Sequence, residues 1–235
     1  MKVNRIAIMQ PYLFPYIGYF QLIFAVDKFI IYDDVGYIKN GWIHRNKILI
    51  NKEAKYFTIP CKNVSSNKEI KDIEHNINHN ISDKLLKKIK YSYNNAPYFN
   101  CVYNIIERVI KSEQYYVSDL AIKSIKEVSS YLDLNTIFKI SSKCYENNHF
   151  KRTDRIIDIC KQEQAGTYLN ASGGKELYSK SYFNKQGIKL NFLEPNNIIY
   201  TQFDNKFVPG LSIIDIMMFN SVSQIKKMLN DYQLV

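Results

Sequence analysis

The chain has 235 residues, of which 46% are hydrophobic and 23% are charged. This composition is typical of a globular protein with a buried core, and it excludes an intrinsically disordered chain. The formal net charge of +10 favours anionic ligands such as phosphorylated molecules or nucleic acid. The lysines are spread along the sequence rather than clustered, so a nucleic-acid-binding arm is not indicated.

Three features bear on location. No apolar stretch reaches the roughly 18 residues that a membrane span needs. A signal peptide is not expected, because Gln10 and Pro11 interrupt the first apolar run and no small-residue cleavage site follows. The four cysteines form no C-x-x-C pair, so we expect free thiols in a cytoplasmic protein.

The first third of the chain predicts a βαβ unit followed by a hairpin. Residues Val3 to Met9 are β-prone, Tyr16 to Val26 have helical apolar spacing, and Lys28 to Tyr32 form a continuous apolar run. Strand, helix and strand in about 30 residues match the size of a βαβ unit. Two further β-prone runs lie within residues 37–61 and predict a hairpin.

A helical insertion over residues 82–132 is predicted next, within a single α/β domain covering residues 1–235. Its first helix is expected to begin with Ser82 as the N-cap residue. Alternating strands and helices follow, which indicates a mainly parallel sheet. The later elements are expected at Thr136 to Ile140, Arg152 to Glu163, Gly166 to Leu169, Lys175 to Asn184, Ile188 to Phe192, Ser212 to Phe219 and Val222 to Tyr232.

Ligands of open parallel sheets bind beyond the carboxyl ends of the strands. That rule selects five segments as candidate site regions. They are Gln10 to Gly18, Asp33 to Asn46, Ser141 to Arg152, Asn170 to Gly174, and the loop around Pro195.

The first of these segments is unusually rich in aromatic residues and prolines. The prolines stiffen the turn, Gly18 permits close approach of another group, and the following helix N-terminus favours an anion. A rigid aromatic corner of the core is an equally good interpretation. The candidate ligand-binding residues here are Gln10, Tyr12, Tyr16, Gly18 and Tyr19.

The second segment carries paired carboxylates and a cation. Asp33 or Asp34 could act as a base, although neighbouring side chains of a strand point to opposite faces. Arg45 suits bidentate binding of phosphate or carboxylate. The structural alternative to a functional site is that the charged side chains of this segment cap a helix and form a surface salt bridge. Further candidate binding residues are Lys39, Trp42, His44 and Asn46.

The third and fourth segments contain hydroxyl groups, a basic helix start and a Ser-Gly-Gly turn that exposes backbone N–H groups. The candidate binding residues are Ser141, Ser142, Arg152, Tyr168, Ser172, Gly173, Gly174 and Tyr178. His75 and His79 have metal-ligand spacing, but the asparagines around them disfavour a helix, so no metal site is predicted.

Several of these motifs resemble the WbqC-like family. They are Gln10-Pro-Tyr-Leu-Phe-Pro-Tyr-Ile-Gly-Tyr-Phe20, Tyr32-Asp-Asp-Val35 with Trp42-Ile-His-Arg-Asn46, the segment from Tyr168 to Tyr178, and Leu211-Ser-Ile-Ile-Asp215. The resemblance covers nearly the whole chain, and its first motif is long and specific.

The resemblance implies a role in the synthesis of O-antigen and other bacterial surface polysaccharides. The activity it suggests is glycine transfer, meaning aminoacylation of an amino sugar linked to a nucleotide. In that reaction Asp33 or Asp34 would serve as the base. A backbone N–H of Ser172 to Gly174 would stabilise the oxyanion, and Arg45 or Arg152 would contact phosphate.

A second resemblance concerns the fold. A strand followed by Pro15-Tyr16-Ile17-Gly18-Tyr19 and a helix is similar to the H-x-G-H turn of nucleotidyltransferase-like folds, with tyrosines in place of histidines. It implies a Rossmann-like sheet and leaves open an ATP-dependent ligase with ATP and magnesium as cofactors. A tRNA-binding protein and a non-catalytic partner in glycan assembly are the remaining alternatives.

Overall fold

The structure is a computed structural model that describes residues 4–203 and 206–235. Within these residues the chain forms an α/β fold with one six-stranded sheet and a separate two-stranded hairpin. The predicted start of the first strand at Val3 lies outside the described residues. The strands are Arg5–Met9 (β1), Lys28–Ile31 (β2), Arg45–Ile50 (β3), Glu53–Thr58 (β4), Ile137–Ile140 (β5), Thr167–Ala171 (β6), Lys189–Pro195 (β7) and Tyr232–Leu234 (β8).

The order of strands in the large sheet is β5-β2-β1-β6-β7-β8. The first five strands are parallel, and β8 pairs antiparallel with β7. This confirms the prediction of an α/β protein with a mainly parallel sheet. From β1 the chain first adds β2 and β5 on one side of the sheet, and then β6, β7 and β8 on the other side. The strand order therefore reverses between β1 and β6.

Helices cover both faces of this sheet. They are Ile17–Phe24 (α1), His79–Tyr93 (α2), Phe99–Ile110 (α3), Val117–Tyr131 (α4), Ser141–Cys144 (α5), Arg152–Gln162 (α6), Lys180–Lys185 (α7), Ile213–Phe219 (α8) and Val222–Leu229 (α9).

Side chains of the central strands alternate between two apolar cores. In β1, Ala7 belongs to the larger core, whereas Ile6 and Ile8 belong to the smaller one. The larger core contains buried residues of α1, α2, α3, α4, α8 and α9, and the smaller core contains those of α6 and α7. Burial on both faces explains why these strands have continuous apolar sequences.

Some predicted boundaries were wrong. Helix α2 begins at His79 with Asn78 as its N-cap residue, and the predicted cap Ser82 lies inside the helix, where its hydroxyl donates to the carbonyl oxygen of His79. The helix predicted from Lys175 begins only at Lys180. The last predicted helix ends at Leu229, and the residues after it form β8.

The predicted hairpin forms from Arg45 to Thr58, with Lys47 opposite Tyr56 in its register. In the described part of the chain, no helix is long and apolar enough to cross a membrane.

Candidate functional site

Each of the five candidate segments begins at the carboxyl edge of the sheet, at or just after the end of a parallel strand, namely β1, β2, β5, β6 or β7. Ligands of open α/β sheets bind at this edge, beside the point where the strand order reverses. The loop after β1 is central to that position because β1 borders the reversal. We call residues 10–18 the aromatic loop.

The backbone of the aromatic loop is held by side chains from three distant parts of the chain. Phe14 has a positive φ of 40°, which is an uncommon and strained conformation for a bulky residue. Its N–H donates to Ser124 Oγ at 2.9 Å, and its carbonyl oxygen accepts from Asn46 Nδ2 at 2.8 Å and Ser212 Oγ at 2.7 Å. These bonds offset the strain and fix the loop.

Asn46 was predicted to contact a ligand, and the structure shows its amide group occupied by the protein backbone. Its Nδ2 donates to the carbonyl oxygens of Leu13 and Phe14, and its Oδ1 accepts from the backbone N–H of Lys47. Asn46 is buried. It therefore joins the hairpin to the aromatic loop.

Gly18 was predicted to allow a close approach, and the approaching group is the ring of Tyr16. A Cβ atom at Gly18 would lie 2.4 Å from Tyr16 Cε2 and 2.8 Å from Pro195 Cγ. Tyr16 remains 40% exposed on its other side. By contrast, Tyr19 is buried, and its hydroxyl donates to the carbonyl oxygen of Gln10 at 2.9 Å.

Two neighbouring cavities open beside Tyr16. The first, which we call the aromatic cleft, has a volume of about 220 Å³ and is lined by Tyr12, Pro15, Tyr16, Trp42, Asn46 and Gly210. The second, which we call the side cavity, has a volume of about 160 Å³, and Ile17, Ile198, Tyr200, Leu211 and Ile216 are among its lining residues. Tyr16 and Gly210 line both cavities. Burial raises the pKa of the Tyr12 and Tyr16 hydroxyls, so both remain neutral hydrogen-bonding groups.

Asp215 anchors the wall of the side cavity. Its buried carboxylate accepts hydrogen bonds from Tyr93 Oη at 2.7 Å, Tyr200 Oη at 2.6 Å and Gln202 Nε2 at 2.7 Å. Burial raises the pKa of this carboxyl group, and the three donors act in the opposite direction. The motif that carries the family resemblance includes Asp215, but no sequence pattern indicated its three partners.

Asp34 forms a buried ion pair. Its Oδ2 lies 2.5 Å from Nη2 of Arg155, and both side chains are almost fully buried. The guanidinium also lies over the ring of Tyr32, 4.9 Å from its centroid, and its Nε donates to Asn147. From the sequence, the phosphate contact is expected at Arg45 or Arg152, and Arg155 is not singled out; Arg152 is exposed at the start of α6.

Asp33 contacts the start of α5. Its two carboxylate oxygens accept from the backbone N–H of Ser142 at 3.0 Å and from Ser142 Oγ at 2.6 Å. Burial raises the pKa of Asp33, whereas the hydrogen bonds from Ser142 lower it. The adjacent Ser141 is fully buried. Asp33 and Asp34 thus both have protein partners, and neither lines the aromatic cleft or the side cavity.

The segment after β6 forms a compact aromatic group. Tyr168 is buried, stacks on Phe183 with centroids 5.4 Å apart, and contacts the edge of Tyr178. Gly174 is required by packing, because a Cβ atom there would lie 2.5 Å from Asn170 Nδ2. Ser172 is half-buried and Gly173 is exposed. These residues border the carboxyl edge but do not line either cavity.

The remaining candidates lie on the hairpin side. His44 Nδ1 lies 2.6 Å from Tyr37 Oη. Burial lowers the pKa of His44, and the positive charge of Arg45 lowers it further. Lys39 is exposed. Arg45 is half-buried and stacks on Tyr56, which the sequence did not single out.

The described residues contain no group of three or more His, Cys, Asp or Glu side chains placed to hold a metal ion. His75 Nε2 lies 2.6 Å from the carbonyl oxygen of Gln114, and His79 faces Asp83 within α2. The two histidines therefore have separate partners.

The sequence model of the WbqC-like protein family matches residues 10–227. The chain belongs to the WbqC-like family. It is also 25% identical over 227 residues to the uncharacterized protein Rv1507c of Mycobacterium tuberculosis, covering 92% of this chain and 93% of that protein. No solved structure matched the chain. The part that matches the WbqC-like family begins at the aromatic loop and includes every residue that lines the two cavities.

Proposed function

We propose that this WbqC-like protein transfers an acyl or aminoacyl group, such as glycyl, to the amine of a nucleotide-linked amino sugar in bacterial surface-polysaccharide synthesis. The observation that carries this proposal is the pair of cavities that share Tyr16 and Gly210. A transfer between two substrates requires the reacting groups to be held next to each other. Two adjacent cavities with a common wall provide that arrangement.

The sizes of the cavities fit the two reacting parts. Pockets for drug-sized ligands usually measure about 300–1,000 Å³, so the aromatic cleft of about 220 Å³ suits a single sugar ring. The side cavity of about 160 Å³ suits a small acyl group. Tyr12, Tyr16 and Trp42 offer rigid apolar surfaces with polar tips, which fit a sugar with apolar C–H faces and polar edges.

In the proposed reaction, the amine nitrogen of the sugar attacks the carbonyl carbon of an activated acyl donor, such as an ester, thioester or acyl phosphate. The new C–N bond forms, the bond to the leaving group breaks, and the amine loses a proton. We assign Tyr16 to positioning, because it borders both cavities. The assignment of Asp33 or Asp34 as the base stays a prediction, and the proposal does not depend on it.

The strand order supports the remaining parts of this proposal. Five parallel strands in the order β5-β2-β1-β6-β7 agree with a Rossmann-like sheet, whose ligands bind where the order reverses. The four cysteines are free thiols, which agrees with a cytoplasmic enzyme that uses nucleotide-activated sugars.

The test is acyl transfer measured by mass spectrometry. Purified protein is incubated with UDP- and dTDP-linked amino sugars and with glycyl or acyl donors of each class. We expect a product heavier by one acyl group, and Tyr16→Ala to lower kcat/KM about tenfold or more, since loss of positioning is costly. Tyr91→Ala is the matched control, because Tyr91 is 74% exposed on α2.

Formation of no acylated sugar with any donor would overturn the proposal. Equal rates for the Tyr16→Ala and Tyr91→Ala variants would show that the two cavities take no part in the reaction.

A further inference from the structure

One face of the hairpin carries two cations and two aromatic rings. Arg45 and Lys47 are two residues apart on β3, and Lys47 pairs with Tyr56 on β4. Residues two apart on a strand share a face. Together with Trp42 they form a surface that we call the cationic platform, consisting of Trp42, Arg45, Lys47 and Tyr56.

The two cations of the platform are not neutralised by the protein. Within residues 4–203 and 206–235, neither Arg45 nor Lys47 has an ion-pair partner, although the structure contains many other ion pairs. Arg45 donates to the carbonyl oxygens of Asn40 and Gly41, which carry no formal charge to compensate it. Two uncompensated cations on one face attract a multiply charged anion.

The aromatic rings hold the cations in place and remain accessible. The guanidinium of Arg45 lies 4.5 Å from the centroid of the Tyr56 ring. The ammonium of Lys47 lies 5.2 Å from that ring and 5.9 Å from the ring of Trp42. Trp42 and Tyr56 are 38% and 41% exposed. Exposed aromatic rings beside cations are typical of surfaces on which nucleobases stack.

The platform is continuous with the aromatic cleft, because Trp42 belongs to both. With a volume of about 220 Å³ the cleft is smaller than the usual pocket for a drug-sized ligand, so we place only the sugar ring of a nucleotide-linked sugar there. The nucleotide of such a ligand must therefore lie outside the cleft. The platform is the neighbouring surface with the charge and the aromatic area that a nucleotide requires.

We propose that the cationic platform binds the nucleoside diphosphate part of the substrate, with Arg45 and Lys47 contacting the diphosphate and the nucleoside packing on Trp42 and Tyr56. This inference rests on the proposed function, since it assigns one part of that substrate to a surface. It adds Lys47 and Tyr56 to the site and keeps for Arg45 the phosphate contact that is expected from the sequence.

The test is calorimetric titration of the full chain with UDP and with inorganic pyrophosphate. Lys47→Glu should weaken the binding of both probes about tenfold or more, because charge-assisted hydrogen bonds are strong. Tyr56→Ala should weaken UDP binding by a larger factor than pyrophosphate binding, because UDP loses the stacked nucleoside in addition to the ring that orders Arg45 and Lys47. The matched control is Lys55→Glu, because Lys55 is exposed on β4 and pairs with Ile48, on the other face of the hairpin.

Failure of wild-type protein to bind UDP, or equal UDP affinities for wild type and Lys47→Glu, would overturn the platform assignment. Such a result combined with acyl transfer to a sugar nucleotide would leave the proposed function intact. Conversely, platform-dependent UDP binding without acyl transfer would support the platform and contradict the proposed chemistry.

Discussion

Asn46 Nδ2 donates a hydrogen bond of 2.8 Å to the carbonyl oxygen of Phe14, and thereby connects the hairpin to the aromatic loop. The two residues are 32 positions apart, and both are buried. Phe14 has a positive φ, so this bond acts on the most strained point of the loop. The shape of the aromatic cleft depends on this contact, because residues of the aromatic loop and Asn46 of the hairpin both line it.

The substitution Asn46→Ala should destabilise the protein by about 2–4 kcal/mol, because it removes the donor to the buried Leu13 carbonyl, one of the two side-chain donors to the Phe14 carbonyl and the acceptor of the Lys47 N–H. Urea denaturation measures the change as a lower transition midpoint with an unchanged slope. Asn76→Ala is the control at an exposed position. A destabilisation no larger than that of the control would show that the contact does not hold the loop.

The Gly18→Ala substitution should disturb the cleft through Tyr16. The added methyl group would lie 2.4 Å from the Tyr16 ring, so the ring must move, and we expect about 1–3 kcal/mol of destabilisation from overpacking. The rate of acyl transfer should fall together with the stability. Gly173→Ala is the control, because nothing lies within 4 Å of a Cβ atom there. Equal stabilities of the two variants would contradict this packing.

Removal of the Asp34 carboxylate should leave the buried Arg155 without its counter-ion. Asp34→Ala is therefore expected to lower the free energy of unfolding by about 3–5 kcal/mol. Lys226→Ala breaks an exposed pair with Asp133 and should cost less than about 1 kcal/mol. Thermal or urea unfolding of both variants gives the comparison. A small effect of Asp34→Ala would mean that the ion pair is not formed in solution.

Glu163 should make stability depend on pH in the acid range. Burial acts to raise its pKa, but hydrogen bonds from Lys139, Lys28 and Tyr145 lower the pKa to about 2. A carboxyl group with a lowered folded-state pKa stabilises the protein above its unfolded pKa and loses that effect as the pH falls toward the folded value.

The stability difference between wild type and Glu163→Gln should accordingly be constant above about pH 5.5 and shrink between about pH 4.5 and 2. Glu146→Gln is the control, since Glu146 is exposed. Urea unfolding at a series of pH values measures both differences. A difference for Glu163→Gln that grows with acidification would contradict the assigned direction.

Local patterns predicted the first βαβ unit well, because β1 is β-prone, α1 has helical apolar spacing and β2 is a continuous apolar run. Strand β8 was missed, since Tyr232 was assigned to the end of the last helix, Gln233 and Leu234 were assigned to no element, and the strand depends on pairing with β7. The N-cap at Ser82 was wrong because Asn78 offers a competing cap four residues earlier. Boundaries of this kind depend on which of several capable residues the tertiary structure uses.

The candidate site was predictable as an edge of the sheet and not as a set of contacts. The sequence located the aromatic loop and the Asp33–Asp34 pair, because both follow strands. It could not show that Asp34 pairs with Arg155, 121 residues away. Nor could it show that Gly210 and Tyr16 line the same two cavities, since such arrangements arise only when distant loops meet.

The most direct test of the proposed substrate site is a crystal structure of the protein with a UDP-linked amino sugar. We predict density for the sugar ring in the aromatic cleft against Tyr16 and Trp42, with the diphosphate beside Arg45 and Lys47. A ligand bound elsewhere, with the cleft and the platform empty, would contradict the account.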